Sequence, residues 1–450
     1  MFIKRIKIEQ YGKLKDFEVE FNQSSHFYNS NFNLSVIVGE NGTGKTSLLK
    51  FISEVFIDHK IKKHFEVDYS ISNEKYQISN YTYKAWSMPS KVIVSSYSTF
   101  EPYKTAFSKK NPAFNENHGE NFEKEVEYVY AGPKRRFGAS SLSSVYLPII
   151  KNYIGFNNKK SLATQELLGE IGYVEQPLIE VKRMGIKKRL EKKLSNVSVI
   201  RADASILEED LENIAERMDK FHYEHFERVA TRFGSQRKKM LNLNAFEYYE
   251  GGVRQWVIDT TKLENIQIDI INDLWFPKGN ELIPMKSFSS GELSMFFRFF
   301  KLIDTMVDSS VVLIDEPETH LHPRWSRKYI KMLNDIFGHY NCHFIIATHS
   351  PLIVSDVPSE CIVGLRQIDN FIEQYKVREQ TLGINYREIL HEVFHIDNLY
   401  GEFTNDINKE ILRLLKDEKV SAAEELYHKL GDSELKFKLF IKLKEFKSKG

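Results

Sequence analysis

Residues 39–46 form a glycine-rich loop that restricts the folds open to this chain. The run is Gly39-Glu40-Asn41-Gly42-Thr43-Gly44-Lys45-Thr46, with an apolar stretch at 34–38 before it and a helix-forming stretch at 47–55 after it. Strand, glycine loop and helix in this order are the context in which such a loop binds phosphate. The glycines let backbone N–H groups point inward at phosphate oxygens, and the positive end of the following helix adds to the attraction. The pattern therefore predicts a nucleotide site at the edge of an α/β sheet.

Side chains with predicted roles toward ATP and Mg²⁺ occur in the loop and far downstream of it. Lys45 supplies a positive charge to the β- and γ-phosphates, and the Thr46 hydroxyl is expected to ligate Mg²⁺. Asp315 and Glu316 end the apolar strand 311–314. Asp315 is placed to hold Mg²⁺, directly or through water, and Glu316 is a candidate general base for the attacking water.

Histidines follow the strand 311–314 and a second predicted strand, 343–347. His349 lies directly after the predicted strand 343–347, where it is expected to hydrogen-bond the γ-phosphate or the attacking water. The alternative is a histidine packed in a loop. His320 and His322 are two residues apart after a predicted turn, and we interpret them as structural or dimer-interface residues rather than as a metal pair.

The run Ser289-Ser290-Gly291-Glu292 opens a predicted helix, where hydroxyls and a small residue make an anion-binding surface. One chain cannot easily place this surface and its own phosphate loop on the same γ-phosphate. Two copies related by a two-fold axis solve the geometry, because each supplies its serine motif to the other's nucleotide. The expected ATP-binding residues are Asn41, Gly42, Thr43, Gly44, Lys45, Thr46, Ser289, Ser290, Gly291 and Glu292.

Composition excludes several other classes of protein. The chain has 450 residues, which is about right for two or three lobes. Its net charge of +1 gives no global field toward DNA or a membrane. The two cysteines form no Cys-x-x-Cys pair, which excludes a disulfide scaffold and a four-thiolate zinc site. No signal peptide and no apolar run long enough to span a bilayer are visible, so we expect a cytoplasmic protein that does not bind membranes.

The rest of the chain is organised around these motifs. Apolar and polar residues alternate over 3–21, which predicts a pair of strands, and 91–96 predicts a buried strand. The strands 311–314 and 343–347 with a helix between them favour a parallel sheet. Apolar spacing predicts one helix within 207–233, inside a compact helical insertion. Residues 104–125 are polar and are expected to form a mobile insertion.

Together the motifs GENGTGKT, FSSGELS, VVLIDEPE, HLHP and THSP resemble the head of ABC-type ATPases of the SMC/Rad50/RecF branch. The resemblance extends from residue 1 to about 358. It implies an α/β fold in which a parallel phosphate-loop sheet accompanies an antiparallel N-terminal sheet, with a short helical insertion and a helical C-terminal region. The implied segments are lobe I at 1–180, the insertion at 181–280, lobe II at 281–365 and a partner-binding region at 366–450.

The same resemblance assigns the roles given above to Lys45, Thr46, Ser290, Gly291, Asp315, Glu316 and His349. The chain departs from the family in two places. No lobe I glutamine is identifiable in the stretch 97–100, and the zinc-hook Cys-x-x-Cys is missing, so a DNA-tethering coiled coil is not expected.

Downstream, the runs 381–390, 393–398 and 400–403 are similar to the C-terminal part of the Septu anti-phage ATPases (PtuA). That resemblance implies an HNH endonuclease subunit (PtuB-like) as a partner in trans, bound through the C-terminal region. No acidic Toprim triad follows His349, so we expect no nuclease site in this chain. The alternatives are a RecF-like repair ATPase that binds DNA directly, the ATPase of another defence system with a Toprim nuclease in trans, and a transporter ATPase.

Basic and apolar segments leave further contacts open. The tail 435–449 carries apolar residues among lysines, and we interpret it as docking or self-packing ahead of membrane binding. Seven basic residues lie within 182–193 and three more within 134–136. They are candidates for DNA contact, although charge runs are more often solvated faces.

Overall fold

The computed structural model describes residues 1–23, 28, 32–57, 61–80, 87–97, 103–104, 126–132, 143–154, 158–182, 184–194, 208–231, 237–377 and 380–447. The predicted polar insertion lies outside these ranges except at residue 104, as do the basic run 134–136 and residues 98–100 of the stretch searched for a glutamine. What was predicted for them stays a prediction.

Strands and helices alternate along most of the described chain. The strands are β1 Phe2–Tyr11, β2 Leu14–Glu20, β3 Phe32–Gly39, β4 Phe65–Ile71, β5 Glu74–Ser79, β6 Lys91–Ser96, β7 Glu127–Tyr130, β8 Leu178–Val181, β9 Glu227–Val229, β10 Lys238–Leu241, β11 Ile271–Lys278, β12 Glu281–Pro284, β13 Val311–Asp315, β14 Cys342–Ala347, β15 Ile362–Ile368 and β16 Phe371–Tyr375. The α-helices are α1 Lys45–Val55, α2 Ser143–Tyr153, α3 Asn158–Glu170, α4 Ile186–Leu194, α5 Glu208–His225, α6 Gly252–Asn265, α7 Ser290–Thr305, α8 Pro323–Phe337, α9 Pro351–Val354, α10 Tyr386–Glu392, α11 Glu402–Lys416, α12 Val420–His428 and α13 Glu434–Lys447.

The chain divides into two compact units, Met1–Ile389 and Leu390–Gly450. The first unit contains the three sheets of the described chain, and the second contains α11, α12 and α13. The finer division into four segments made from the sequence stays a prediction.

A seven-stranded sheet in the order β16-β15-β3-β14-β13-β6-β7 forms the centre of the first unit. Its strands pair in parallel from β15 to β7, and β16 runs antiparallel to β15. Every residue of β3, β13 and β14 is buried, and these strands are rich in valine and isoleucine, as a parallel sheet covered on both faces requires. The predicted parallel strand–helix–strand unit is confirmed as β13, α8 and β14.

An antiparallel sheet in the order β2-β1-β4-β5 carries the N-terminus, which confirms the strand pair predicted over 3–21. Its alternating apolar residues, such as Ile6, Ile8 and Phe17, share one core with α1 and with the central sheet. His343 of β14 joins the two sheets. Its Nδ1 accepts the backbone N–H of Ile3 at 3.1 Å, and its Nε2 lies 2.9 Å from the Ser35 hydroxyl of β3.

The segment 181–280 contains helices, as predicted, together with strands that the sequence analysis did not find. β9, β10 and β11 join β8 and β12 in a sheet of order β12-β11-β8-β10-β9, which we call the third sheet. β9 and β10 have three and four residues, too few to show an alternating pattern. The helix predicted within 207–233 is α5, but it ends at His225, where the chain enters β9.

The second unit packs α11, α12 and α13 around a core of its own, formed by Ile411, Leu415, Ala423, Leu430, Leu439 and Leu443. Part of the Lys/Phe-rich tail is therefore packed inside the unit. Other apolar side chains of α13, including Phe437 and Phe440, remain exposed. Among the helices described, none is long and apolar enough to cross a bilayer.

The buried His343 gives the first unit an acid-sensitive stability. Burial and the nearby N-terminal ammonium lower its pKa to about 3, far below the value of about 6.5 for an unfolded chain. The stabilisation is present above pH 6.5 and is lost as the pH falls toward 3, because the unfolded chain binds the proton first. Between pH 7 and pH 5, wild-type unfolding free energy should fall by about 2 kcal/mol more than that of His343→Asn. Tryptophan fluorescence in urea measures this difference, because Trp256, Trp275 and Trp325 lie in the first unit. Equal pH dependence in both proteins would contradict the assignment.

Candidate functional site

The carboxyl ends of three neighbouring parallel strands meet at one edge of the central sheet. In the register of the sheet Ala347 of β14 is opposite Ile37 of β3 on one side and Asp315 of β13 on the other. The phosphate loop, Glu316 and Thr348 therefore all follow strands that end side by side. Ligands of open α/β sheets bind in the crevice at this edge.

Residues 39–46 connect β3 to α1 in a tight loop, which is the geometry that a phosphate-binding loop requires. Gly42 and Gly44 have φ angles of 89° and 83°, in the left-handed region where a side chain is disfavoured. A Cβ on Gly44 would also lie 2.9 Å from the Leu14 side chain. Gly44 is the N-cap of α1, and no side chain of the described residues caps that end. The first N–H groups of α1 thus remain available to an anion.

Lys45 is buried at the base of the loop, where its ammonium donates to the carbonyls of Gly39 and Glu40 at 2.8 Å each. Burial lowers its pKa to about 8, and the negative charges of Glu316 and Asp315 oppose that shift. The structure thus brings the predicted phosphate-binding lysine into the field of both predicted acidic residues. A polyphosphate would stabilise the charged form of Lys45 further.

Thr46 and Asp315 meet as the sequence analysis predicted for a shared metal. The Thr46 hydroxyl lies 3.3 Å from Asp315 Oδ1, and Asp315 is 2% exposed. A hydroxyl and a carboxylate are hard oxygen ligands that fit Mg²⁺, which usually takes one or two protein ligands and completes its shell with water and substrate phosphates. Among the described residues, no group of three or more His, Cys, Asp or Glu is able to hold a metal.

Tyr103 also contacts this pair and was not found from the sequence. Its hydroxyl donates to Asp315 Oδ2 at 3.0 Å, and its ring is buried. It follows β6 in the chain, the part of lobe I in which no glutamine was identified. No local pattern marks it, because its neighbours in sequence are polar and its partner is 212 residues away.

Glu316 and His349 face each other across the ends of β13 and β14. Glu316 has a φ of 48°, an uncommon conformation for a residue with a side chain, and its N–H donates to the Ala347 carbonyl at 2.9 Å. His349 Nε2 lies 4.0 Å from Glu316 Oε1. Burial and the nearby Lys45 lower the pKa of His349 to about 4, so the imidazole is neutral at pH 7 and the contact is not an ion pair. The Glu316 carboxylate is 38% exposed and accessible to water.

Glu318 orients His349, although the sequence analysis gave it no role. One of its carboxylate oxygens accepts the Thr348 hydroxyl at 2.9 Å and the other accepts the His349 N–H at 2.6 Å. Burial raises the pKa of Glu318, and these hydrogen bonds oppose the shift. This side chain fixes the loop after β14 to the loop after β13.

The serine motif begins α7 with a reciprocal cap. The Ser289 hydroxyl accepts the Glu292 N–H at 3.2 Å, and the Glu292 carboxylate accepts the Ser289 N–H at 2.8 Å. The other contacts of Glu292 are with Lys278 and Tyr173, outside the phosphate loop. Ser289 and Ser290 are exposed at the helix end. Glu292 and Ser289 therefore shape the motif within their own chain, and Ser290 is exposed at the helix end.

Arg298 connects α7 to the loop after β13 and was also missed. It is 1% exposed, and its guanidinium donates to the backbone carbonyls of Pro317, at 3.0 Å, and Thr319. The same group lies 3.6 Å from the centre of the Tyr97 ring at the end of β6. One buried side chain thus ties the serine-motif helix to the segment that begins with Glu316.

His322 has a structural role, as the sequence analysis preferred. It is the N-cap of α8, and its Nδ1 accepts the Arg324 N–H at 3.2 Å. His320 has a φ of 62° in the turn before the helix.

The parallel sheet with its phosphate loop, acidic strand end and serine-motif helix defines an ABC-type ATPase head. The model of the AAA ATPase domain family AAA_15 matches residues 1–354, and the chain belongs to that family.

Curated relatives include a probable retron ATPase, a phage protein and a Septu protein. The probable ATPase of retron Vc95 from Vibrio cholerae serotype O1 biovar El Tor is 23% identical over 403 residues, which are 81% of this chain and 75% of that protein. Protein ea59 of Escherichia phage lambda is 34% identical over 109 residues, and the match spans 24% of this chain and only 21% of ea59. Septu protein PtuA of Bacillus thuringiensis is 28% identical over 124 residues, 27% of this chain and 31% of PtuA. The predicted kinship with SMC-like and Septu ATPases is confirmed at this level of similarity.

Among solved structures, the SMC head domain from Thermotoga maritima aligns with 84% of this chain and 100% of its own, at 10% identity and a TM-score of 0.35.

Arg298→Lys tests the connection between α7 and the Glu316 loop. Lysine keeps the charge but loses the planar fork and the stacking on Tyr97. We expect kcat for ATP hydrolysis to fall at least about tenfold, while the affinity for ATP changes little. The reason is that Arg298 contacts the loop that begins with Glu316 and not the phosphate loop. Steady-state ATPase assays with nucleotide titrations separate the two quantities. Lys301→Ala on the same helix is the control and should change neither. A variant with weakened ATP affinity and normal kcat would refute the positioning role.

Proposed function

We propose that this chain is a cytoplasmic ATPase switch in which two copies close on ATP and hydrolysis separates them. The observation that carries the proposal is the meeting of Lys45, Thr46, Asp315, Glu316 and His349 at the carboxyl ends of three adjacent strands. A phosphate loop alone binds nucleotide. The added acidic pair and neutral imidazole supply what hydrolysis of the γ-phosphate needs.

In this proposal each side chain has one task. Backbone N–H groups of 41–46 and the Lys45 ammonium hold the phosphates, and Thr46 and Asp315 would hold Mg²⁺, which neutralises phosphate charge when bound. The exposed carboxylate of Glu316 takes the proton of the attacking water. His349, which burial and the nearby Lys45 keep neutral and whose backbone N–H donates to Glu318, hydrogen-bonds the γ-phosphate or that water.

The serine motif acts on the nucleotide of the second copy. Its exposed hydroxyls begin the 16-residue helix α7, and the carboxylate of Glu292 is engaged inside its own chain. Ser290 and the N–H groups at this helix end are therefore a surface suited to a phosphate presented from outside. A two-fold pair presents two such phosphates at once.

The output of the switch is control of a separate HNH nuclease in anti-phage defence, bound through the region 366–450. The similarity to Septu PtuA supports this choice. The second unit has its own core yet exposes Phe403 and Phe437, which are 86% and 63% exposed, as a docking surface does. A second candidate is the ATPase of a retron, favoured by the match to the retron Vc95 protein over 81% of the chain.

Subunit mixing tests the composite site. Lys45→Ala disables the phosphate loop and Ser290→Arg blocks the serine motif, so each variant alone should hydrolyse little ATP. An equal mixture forms half heterodimers, each with one site that joins an intact loop to an intact motif. We expect about a quarter of wild-type ATPase activity from the mixture if pairing is random. An inactive mixture of folded, dimerising variants would show that the motif does not act across the interface.

Co-expression with a PtuB-like HNH nuclease tests the output. Phe403→Asp combined with Phe437→Asp should reduce co-purification at least about tenfold, because a charge opposes burial of that surface. Leu162→Asp, an equally exposed apolar position on α3, is the matched control and should bind normally. The assay is then repeated with Glu316→Gln, which is expected to retain bound ATP, and with Lys45→Ala, which is expected to lack it. The comparison shows whether nuclease binding depends on ATP. Absence of binding in the wild type would remove the nuclease and leave the ATPase proposal intact.

A further inference from the structure

The third sheet carries a cavity that the ATPase proposal does not use. It has a volume of about 240 Å³ and is lined by residues of β8, β10, α4 and α5, with no contribution from the candidate ATP site. Small-molecule pockets usually measure about 300–1,000 Å³, so this one suits a small group or one end of a larger ligand.

Positive charge dominates the wall of the cavity. Lys182, Arg189 and Lys239 line it. Asp219 also lines it, but its two carboxylate oxygens already accept the first N–H groups of α4, at 2.7 and 2.9 Å. Lys182 is paired with Asp269 at 2.9 Å, and Nη1 of Arg189 donates to the Asp269 carbonyl, which leaves Lys239 as the cation most available to a ligand.

Two buried nitrogens in this wall lack hydrogen-bond partners within the described part of the chain. They are Nε2 of His222 and Nε of Arg189. His222 is 8% exposed, and burial together with Arg189 lowers its pKa to about 3, so its ring is neutral. An unpaired buried polar atom is destabilising, so an acceptor oxygen that reached either nitrogen would be bound favourably.

Aromatic rings complete the cavity on its exposed side. The Lys239 ammonium lies 4.3 Å from the centre of the Phe226 ring, which holds the charge beside the cavity. Tyr223 lines the cavity and is 79% exposed, so its ring is free to stack on a planar group.

We propose that this cavity binds the phosphate group of a nucleotide. The phosphate oxygens accept hydrogen bonds from Arg189, His222 and Lys239, and the base stacks on Tyr223. The nucleotide is either a free mononucleotide or a terminal or internal unit of a nucleic acid strand, and both present the same phosphate chemistry.

Calorimetric titration of the full-length chain carrying Lys45→Ala tests this site with the candidate ATP loop disabled. The probes are inorganic phosphate, AMP and a short single-stranded oligonucleotide. Arg189→Gln and Lys239→Gln should each weaken the bound probe at least about tenfold, since each removes a charge-assisted contact. Lys239 makes no structural hydrogen bond among those described, so its variant remains informative if Arg189→Gln unfolds. Lys188→Gln, an exposed cation of α4 outside the cavity, is the matched control.

The three probes separate the sources of the phosphate. If phosphate and AMP bind and both cavity variants weaken that binding, the ligand of the cavity is a free nucleotide. Tighter, strongly salt-dependent binding of the oligonucleotide with the same variant pattern assigns nucleic acid. The proposal is overturned if no probe binds, or if Lys188→Gln weakens binding as much as Lys239→Gln does.

Discussion

The parallel register of β3, β14 and β13 is the constraint on which the candidate site depends. Ile37, Ala347 and Asp315 are neighbours across three strands, so segments separated by up to about 300 residues end at one edge of the sheet. A slip of one residue in any strand would turn a buried side chain to the opposite face and shift the following loop. Because these strands are buried on both sides, packing fixes that register strongly.

Around this edge, the buried polar side chains act as connectors between loops. Glu318 joins the loops after β13 and β14, and Arg298 joins the first of these to α7. In the proposed dimer, α7 reads the nucleotide of the other copy while Arg298 holds it to the general base of its own chain. Contact with one nucleotide would thereby be transmitted to the catalytic loop of the second site. This gives the pair a physical basis for acting together rather than as two independent pockets.

The sequence predicted the parts of the site that depend on local pattern. The phosphate loop, the strand ending in Asp315 and the start of α7 are each specified within about ten residues, so their residue types and spacing reveal them. Tyr103 and Arg298 could not be found in this way, because their roles arise from contacts with residues distant in the chain. The short strands β9 and β10 were missed for a related reason. They form through pairing with β8, and they are too brief to carry a periodic signal.

The segment between β7 and α7 separates the two halves of the candidate site in sequence without separating them in space. It contains the third sheet and its own apolar core residues, such as Trp256 and Phe246, whose ring centroids lie 4.5 Å apart. Such a self-contained insertion tolerates change without disturbing the register of the central sheet. Its cavity shares no residue with the phosphate loop, yet the third sheet meets α7 through Glu292, which contacts Lys278 of β11. If the cavity and the composite ATP site both act as proposed, this contact joins the ligand-binding sheet to the helix that carries the serine motif, and the insertion would then be a suitable input for the switch.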